Sequence, residues 1–129
     1  MLKTKEEIKE WLDEMKVVKY IINDDLTVDV VGNVYLDYLN IFEFPIQFRI
    51  VFGYFSCCNC ELTSLKGCPT YVAHNFYCMD NNLKNLDYSP ENVSGYFCSN
   101  IGSFSQEEYE QFIIERKLRK RKEFLNSIQ

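Results

Sequence analysis

Hydrophobic positions recur along this chain with two different spacings. Near the N-terminus Ile8, Trp11, Leu12 and Met15 fall on one helical stripe, the arrangement of a helix with one buried face. Thr4-x-x-Glu7 just before it is a capping-box pattern that starts such a helix. The next stretch, "VVKYIINDDLTVDVV", has two apolar runs around Asn23-Asp24-Asp25 and predicts a hairpin. Towards the C-terminus Ser105-x-x-Glu108 is a second capping box, followed by Tyr109, Phe112, Ile113, Leu118, Phe124 and Leu125. That spacing predicts a helix of about twenty residues whose first turns, Tyr109 to Ile113, pack on what precedes it.

Between these ends the period is 21 residues. "LTSLKGCPTYV" (Leu62 to Val72) returns as "LKNLDYSPENV" (Leu83 to Val93), with Leu, Leu, Pro and Val at the same offsets. Gapless columns follow from the same step. They are Val34, Phe55, Phe76 and Phe97; Leu36, Cys57, Cys78 and Ser99; Leu39, Cys60, Asn81 and Gly102; and Ile41, Leu62, Leu83 and Phe104. Phe44, Leu65 and Leu86 continue them, then Phe48, Pro69 and Pro90, then Val51, Val72 and Val93. Val31, Phe52, Ala73 and Ser94 form a further, mostly small or apolar column. A fixed period of this length signals a stacked array in which each unit buries its neighbour's face. The kept positions point into the stack and the variable ones face outward.

One unit reads Phe52-x-x-Phe55-x-Cys57-x-x-Cys60-x-Leu62 and the next Ala73-x-x-Phe76-x-Cys78-x-x-Asn81-x-Leu83. In these residues the chain resembles the leucine-rich-repeat family, and more narrowly a variant in small proteins of tailed bacteriophages. The resemblance covers residues 31–104. It implies a short strand with one buried face in each unit, an inward Asn or Cys at the turn, and an extended return on a convex side. Pro in the return bars a regular helix. In the last unit Cys98 stands one place early for its column, so the register of residues 94–104 is the least defined. The expected fold is an α+β repeat solenoid of one domain. Residues 1–30 form a helix-hairpin cap, 31–104 the repeats, and 105–129 a C-terminal helix.

Composition narrows the function classes. The chain is 47% hydrophobic and 16% aromatic, which predicts a folded globule. A net charge of −5 argues against general affinity for nucleic-acid backbones. No apolar run reaches membrane-span length, and the charged start "MLKTKEEIKEWLDEMK" is not that of a secretory signal. The expected location is therefore the cytoplasm, the host's if the phage resemblance holds, with the six cysteines as thiols.

Cys57-x-x-Cys60 with Cys68, Cys78, Cys98 and His74 invites a zinc reading. The stronger reading is structural, because Cys57, Cys60 and Cys78 occupy columns held elsewhere by Leu, Asn or Gly. Asp24, Asp25 and Asp29 lie where Asp commonly satisfies local backbone groups. His74 has no nucleophile motif beside it, and no phosphate-binding Gly loop is present. The chain is expected not to be an enzyme and to need no metal or cofactor.

The outward strand positions are more telling. Period-2 alternation places Asn33, Tyr35 and Asp37 outward, then Tyr54, Ser56 and Cys58, then Asn75, Tyr77 and Met79, then Tyr96, Cys98 and Asn100. Four tyrosines on one concave sheet predict a protein-recognition surface, with Asp37 and Asp80 giving it acidic margins. The expected partner-binding set is Tyr35, Asp37, Tyr54, Cys58, Tyr77, Met79, Asp80 and Tyr96. The phage resemblance implies a host protein as partner, blocked by occupation, with a component of a defence system or of gene expression as the candidates. A second feature is "RKLRKRK": Arg116, Lys117, Arg119, Lys120, Arg121 and Lys122 follow a chain whose balance to Phe104 is −6. Three readings compete: a solvated helix end, which the run would lay over the acidic N-terminal region; a contact with an acidic protein or a second copy; and, as the alternative function, a nucleic-acid contact.

Overall fold

A computed structural model describes residues 1–129. The period-21 segment winds into a β-solenoid of roughly three turns, with a helix at each end. Helix α1 spans Lys5–Glu14, with Thr4 as its N-cap accepting from the Glu7 N–H, and it buries Ile8 and Leu12. The hairpin follows as β1 (Tyr20–Ile22) and β2 (Thr27–Val30), antiparallel. Asp25 Oδ1 closes its turn by accepting from the Thr27 N–H at 3.1 Å.

Each coil then contributes one strand to each of two sheets. Strands β3 (Val34–Tyr35), β5 (Phe55–Ser56), β7 (Phe76–Cys78) and β9 (Phe97–Ser99) stack in parallel, with β10 (Ser103–Phe104) folded back on β9. This is the phenylalanine sheet. Strands β2, β4 (Gln47–Val51), β6 (Tyr71–Val72) and β8 (Asn92–Val93) stack in parallel on the opposite wall, with β1 at the edge. This is the valine sheet. The extended return is therefore itself a ladder, and the stack begins at Thr27, inside what the sequence assigns to the cap.

The pairings Val34↔Phe55, Phe55↔Phe76 and Phe76↔Phe97 keep the 21-residue step through the last coil. Cys98 pairs with Tyr77 and faces outward, while Ser99 holds the inward place and closes the following turn through Gly102. Of residues 94–104, where the register is least defined by sequence, β9 keeps the repeat through Ser99, and the chain then leaves the coil and folds back as β10. One step does slip: Val28 pairs with Phe48 but Val30 with Val51, so β4 carries a bulge. Asp29 fills that gap. Its carboxylate accepts from the Ile50 N–H at 3.2 Å, from Arg49 Nε at 2.9 Å and from Asn23. The Arg49 guanidinium holds this carboxyl below its ordinary range.

An aromatic column runs through the core. Phe55, Phe76 and Phe97 stack at ring separations of 5.3 and 5.1 Å, nearly parallel. Tyr109 continues the stack at 4.7 Å from Phe97, and Phe48, Phe44 and Trp11 close the other end edge-on. Both caps thus meet the open core with aromatic rings, as the end of a solenoid requires.

Two expected core columns are corrected. Val31 and Phe52 are about half exposed, while Val30, Val51, Val72 and Val93 are buried. The cause is alternation: a strand ending with its valine inward turns the next residue out. Leu39 is also exposed, although Cys60 and Asn81 in its column are buried. Asn81 serves the bend as the resemblance implies. Its Oδ1 accepts from the Cys60 and Leu62 N–H groups, and its amide donates to Cys57, Cys78 and Met79 carbonyls, all within 3.2 Å.

Helix α2 (Gln106–Ser127) starts with a complete Ser105/Glu108 capping box and buries Tyr109, Ile113 and Arg116. Tyr109 donates to Ser89 or the Pro90 carbonyl at the corner beneath it. No helix is long and apolar enough to cross a membrane.

Candidate protein-recognition surface

The outward face of the phenylalanine sheet is where the expected site residues meet. Parallel stacking places Asn33, Tyr54, Asn75 and Tyr96 in one outward column and Tyr35, Ser56, Tyr77 and Cys98 in the next. Tyrosine therefore alternates between columns from coil to coil. Asn33 Oδ1 accepts from the Tyr54 N–H at 2.9 Å, and Asn75 Oδ1 accepts from the Tyr96 N–H at 2.8 Å. Each asparagine needs an open corner above it. A Cβ on Gly53 would stand 2.2 Å from Asn33 Oδ1, and one on Gly95 2.2 Å from Asn75 Oδ1. The pairs Gly-Tyr and Asn-Tyr thus interlock over two coils.

The expected residues are not equally available. Tyr35 and Tyr96 are 58% and 62% exposed. Tyr54 and Tyr77 are half-buried, and Asn75 donates to the Tyr77 hydroxyl at 2.6 Å. Met79 and Asp80 are exposed. Asp37 is half-buried too, and its Oδ1 accepts from Ser56 Oγ at 2.7 Å and the Cys58 N–H at 2.8 Å. It pins the strand end as well as charging the margin, because the bend leaves an amide needing an acceptor. Its charge raises the Tyr35 phenol above its ordinary value. Cys58 is half-buried, and burial pushes its thiol up, away from the thiolate a nucleophile needs.

Electrostatically the face has one sign. Residues 33–38, 54–61, 75–82 and 96–102 include Asp37, Glu61 and Asp80 but no Lys or Arg. Tyr38 belongs to this surface too, though nothing in the outward alternation singled it out. It is 70% exposed with φ 63°. Asn59 and Asp80 occupy the same left-handed position one and two coils on, and Asn and Asp tolerate it far better than Tyr. That mismatch, Tyr in a column of turn residues, is the signal by which the sequence marks it.

The basic run divides in two. Arg116 is buried, donating to the Leu86 carbonyl at 3.1 Å and to Ser89 Oγ at 2.8 Å, with its guanidinium over Phe112. It belongs to the cap, because a planar guanidinium can serve several acceptors at once, and is not a free contact. Lys117, Arg119, Lys120, Arg121 and Lys122 are exposed, and none joins the three ion pairs of the chain. The run does not lie over the acidic N-terminal region.

Among the cysteines, Cys57, Cys60, Cys68 and Cys78 are buried as free thiols, and desolvation raises each. No three His, Cys, Asp or Glu side chains are grouped as metal ligands. No protein-family model, curated protein or solved structure matches the chain.

Proposed function

We propose that this chain is a non-enzymatic binding module that occupies another protein's surface through the outward face of the phenylalanine sheet. The observation that carries the reading is the joint exposure of Tyr35, Tyr38 and Tyr96 on a wall that carries acids and no cation. Tyrosine contributes large contact area at low entropic cost with a hydrogen-bonding tip, and interfaces are enriched in it. Parallel strands hold these rings on a rigid frame, which lowers the ordering cost of binding. The acid margin fits a partner with basic residues. The leucine-rich-repeat resemblance, in its phage variant, points to a host protein that is blocked by occupation, in the host cytoplasm.

The test is capture from bacterial lysate with nuclease added, comparing the wild-type chain with Tyr35→Ala/Tyr96→Ala. One dominant protein, lost by at least about tenfold in the variant, is the expected result. Equal capture by both would remove this face from the reading.

The second reading uses the five unpaired cations of α2 on nucleic-acid phosphates. It requires a steep fall of affinity with salt and recovery that nuclease abolishes.

A further inference from the structure

The C-terminal part of α2 is built like a ligand. Every residue from Lys117 to Gln129 is exposed, so the solenoid accounts for none of them. The segment carries five cations and one acid, Glu123. Leu118 stands within the cationic run and Phe124, Leu125 and Ile128 follow it, each at least half exposed. Leu118 and Leu125 are seven residues apart, two helical turns, or about 10.5 Å along the axis.

The phenylalanine sheet offers the matching half. Ser56 and Cys98 are the small residues of the column they share with Tyr35 and Tyr77; Ser56 is buried, with its hydroxyl on Asp37, and Cys98 is half-buried, so the tyrosines stand above both. They lie two coils apart. The ring ladder directly beneath, from Phe55 through Phe76 to Phe97, takes those two steps in 5.3 and 5.1 Å. Two coil steps and two helical turns are thus both about 10 Å. Charge agrees as well: the helix segment is basic, and the face carries Asp37, Glu61 and Asp80 without a cation.

The two halves do not meet within one chain, since none of the five cations finds a carboxylate. Pairing two such helix ends with each other would set five cations against five, which is unfavourable. The exposed leucines favour a protein surface over phosphates, which need no apolar stripe.

We propose that a second copy of this chain lays residues 117–128 of α2 along this sheet face, with Leu118 and Leu125 over Ser56 and Cys98 and the cations against Asp37, Glu61 and Asp80. The association covers the recognition surface, so a partner must displace it. The inference rests on reading that face as a recognition surface.

The experiment is sedimentation of the full chain at about 100 µM, in low salt and at about 0.5 M, where surface charge pairs are screened. The expected low-salt mass exceeds the 15.3 kDa of one chain and falls to it in high salt. Leu118→Glu/Leu125→Glu, at exposed positions that leave the core intact, is expected to weaken association at least tenfold, as is Asp80→Lys. Adding Arg119→Glu/Lys122→Glu to Asp80→Lys restores it. A single-chain mass in low salt, association indifferent to the leucine pair, or a heavy species that nuclease dissolves would each overturn the proposal. Lysate capture by the Tyr35→Ala/Tyr96→Ala pair reports on the recognition reading separately, so either can fail alone.

Discussion

The inner and outer faces of the phenylalanine sheet repeat with different periods. Inward, Phe55, Phe76 and Phe97 return every 21 residues and stack ring on ring. Outward, the period doubles: Asn33 returns as Asn75, Tyr35 as Tyr77, Gly53 as Gly95 and Tyr54 as Tyr96. Inside, every coil meets like neighbours above and below, so one residue type can recur in a column, as Phe55, Phe76 and Phe97 or Val51, Val72 and Val93 do. Outside, an asparagine that bonds the next coil's amide requires a glycine there. The next coil carries tyrosine in that asparagine's place, and the types alternate. A period of one coil records stacking, and a period of two records side chains fitted between coils.

The largest effect should come from breaking the inner ladder. Phe76→Ala removes a fully buried ring held between two others and should cost about 3–5 kcal/mol in denaturant unfolding. A loss below about 1 kcal/mol would show that the ladder does not organise the core.

Asn81→Ala should follow, at roughly 2–3 kcal/mol, because the Cys60 and Leu62 amides lose their acceptor inside the bend. The same equilibrium measurement checks it.

The glycine corners separate the two-coil idea from simple crowding. Gly53→Ala and Gly95→Ala should each cost about 1–3 kcal/mol. Adding Asn75→Ala should recover much of the Gly95 loss, since the other contacts there are at 3.0 Å or beyond. Adding Asn33→Ala should recover less at Gly53, because the Gly32 backbone also stands 2.7 Å away. Equal recovery at both corners in a double-mutant cycle would contradict the asymmetry.

Acid should act through the bulge in the opposite wall. The Asp29 carboxyl is held down in the folded state by Arg49 and its other donors. A depressed folded pKa adds stability that is complete above the unfolded value, near 3.9, and that is lost as pH falls through the folded value. Asp29→Asn should therefore be less stable than wild type at pH 7, and the gap should narrow in acid, below the unfolded value. A gap that persists there would mean the carboxylate's charge is not what holds the bulge.

The smallest stability change should be on the outer face. Tyr35→Ala/Tyr96→Ala removes mostly exposed rings and should shift unfolding by about 0.5 kcal/mol or less per site, while capture of a partner falls. The half-buried pair Tyr54 and Tyr77 should lose more stability for the same loss of binding, which makes it the poorer probe.

Much of the stack was legible because a repeat exposes its own register. Columns such as Phe55, Phe76 and Phe97 identify themselves by recurrence, and Ser105-x-x-Glu108 announces a helix through local hydrogen bonding alone. The candidate face was legible for the same reason, since strand alternation assigns sides once register is known. Availability was not legible. Asp37 and Arg116 read alike as free charges, yet Asp37 is half-buried against Ser56 Oγ and the Cys58 amide, and Arg116 is buried against Leu86 and Ser89. Those partners lie 19 to 30 residues away along the chain, and no local pattern names them.

Sequence by itself therefore determined the period, the two caps and the side on which the tyrosines stand, all of which follow from spacing and short-range chemistry. Tertiary structure alone decided that the return is a second sheet, and that Val51 rather than Phe52 turns inward at the corner. It also decided that Arg116 leaves the basic run while five other cations stay unpaired. These depend on how coils meet across the core, where burial and hydrogen-bond satisfaction are settled between residues far apart in the chain.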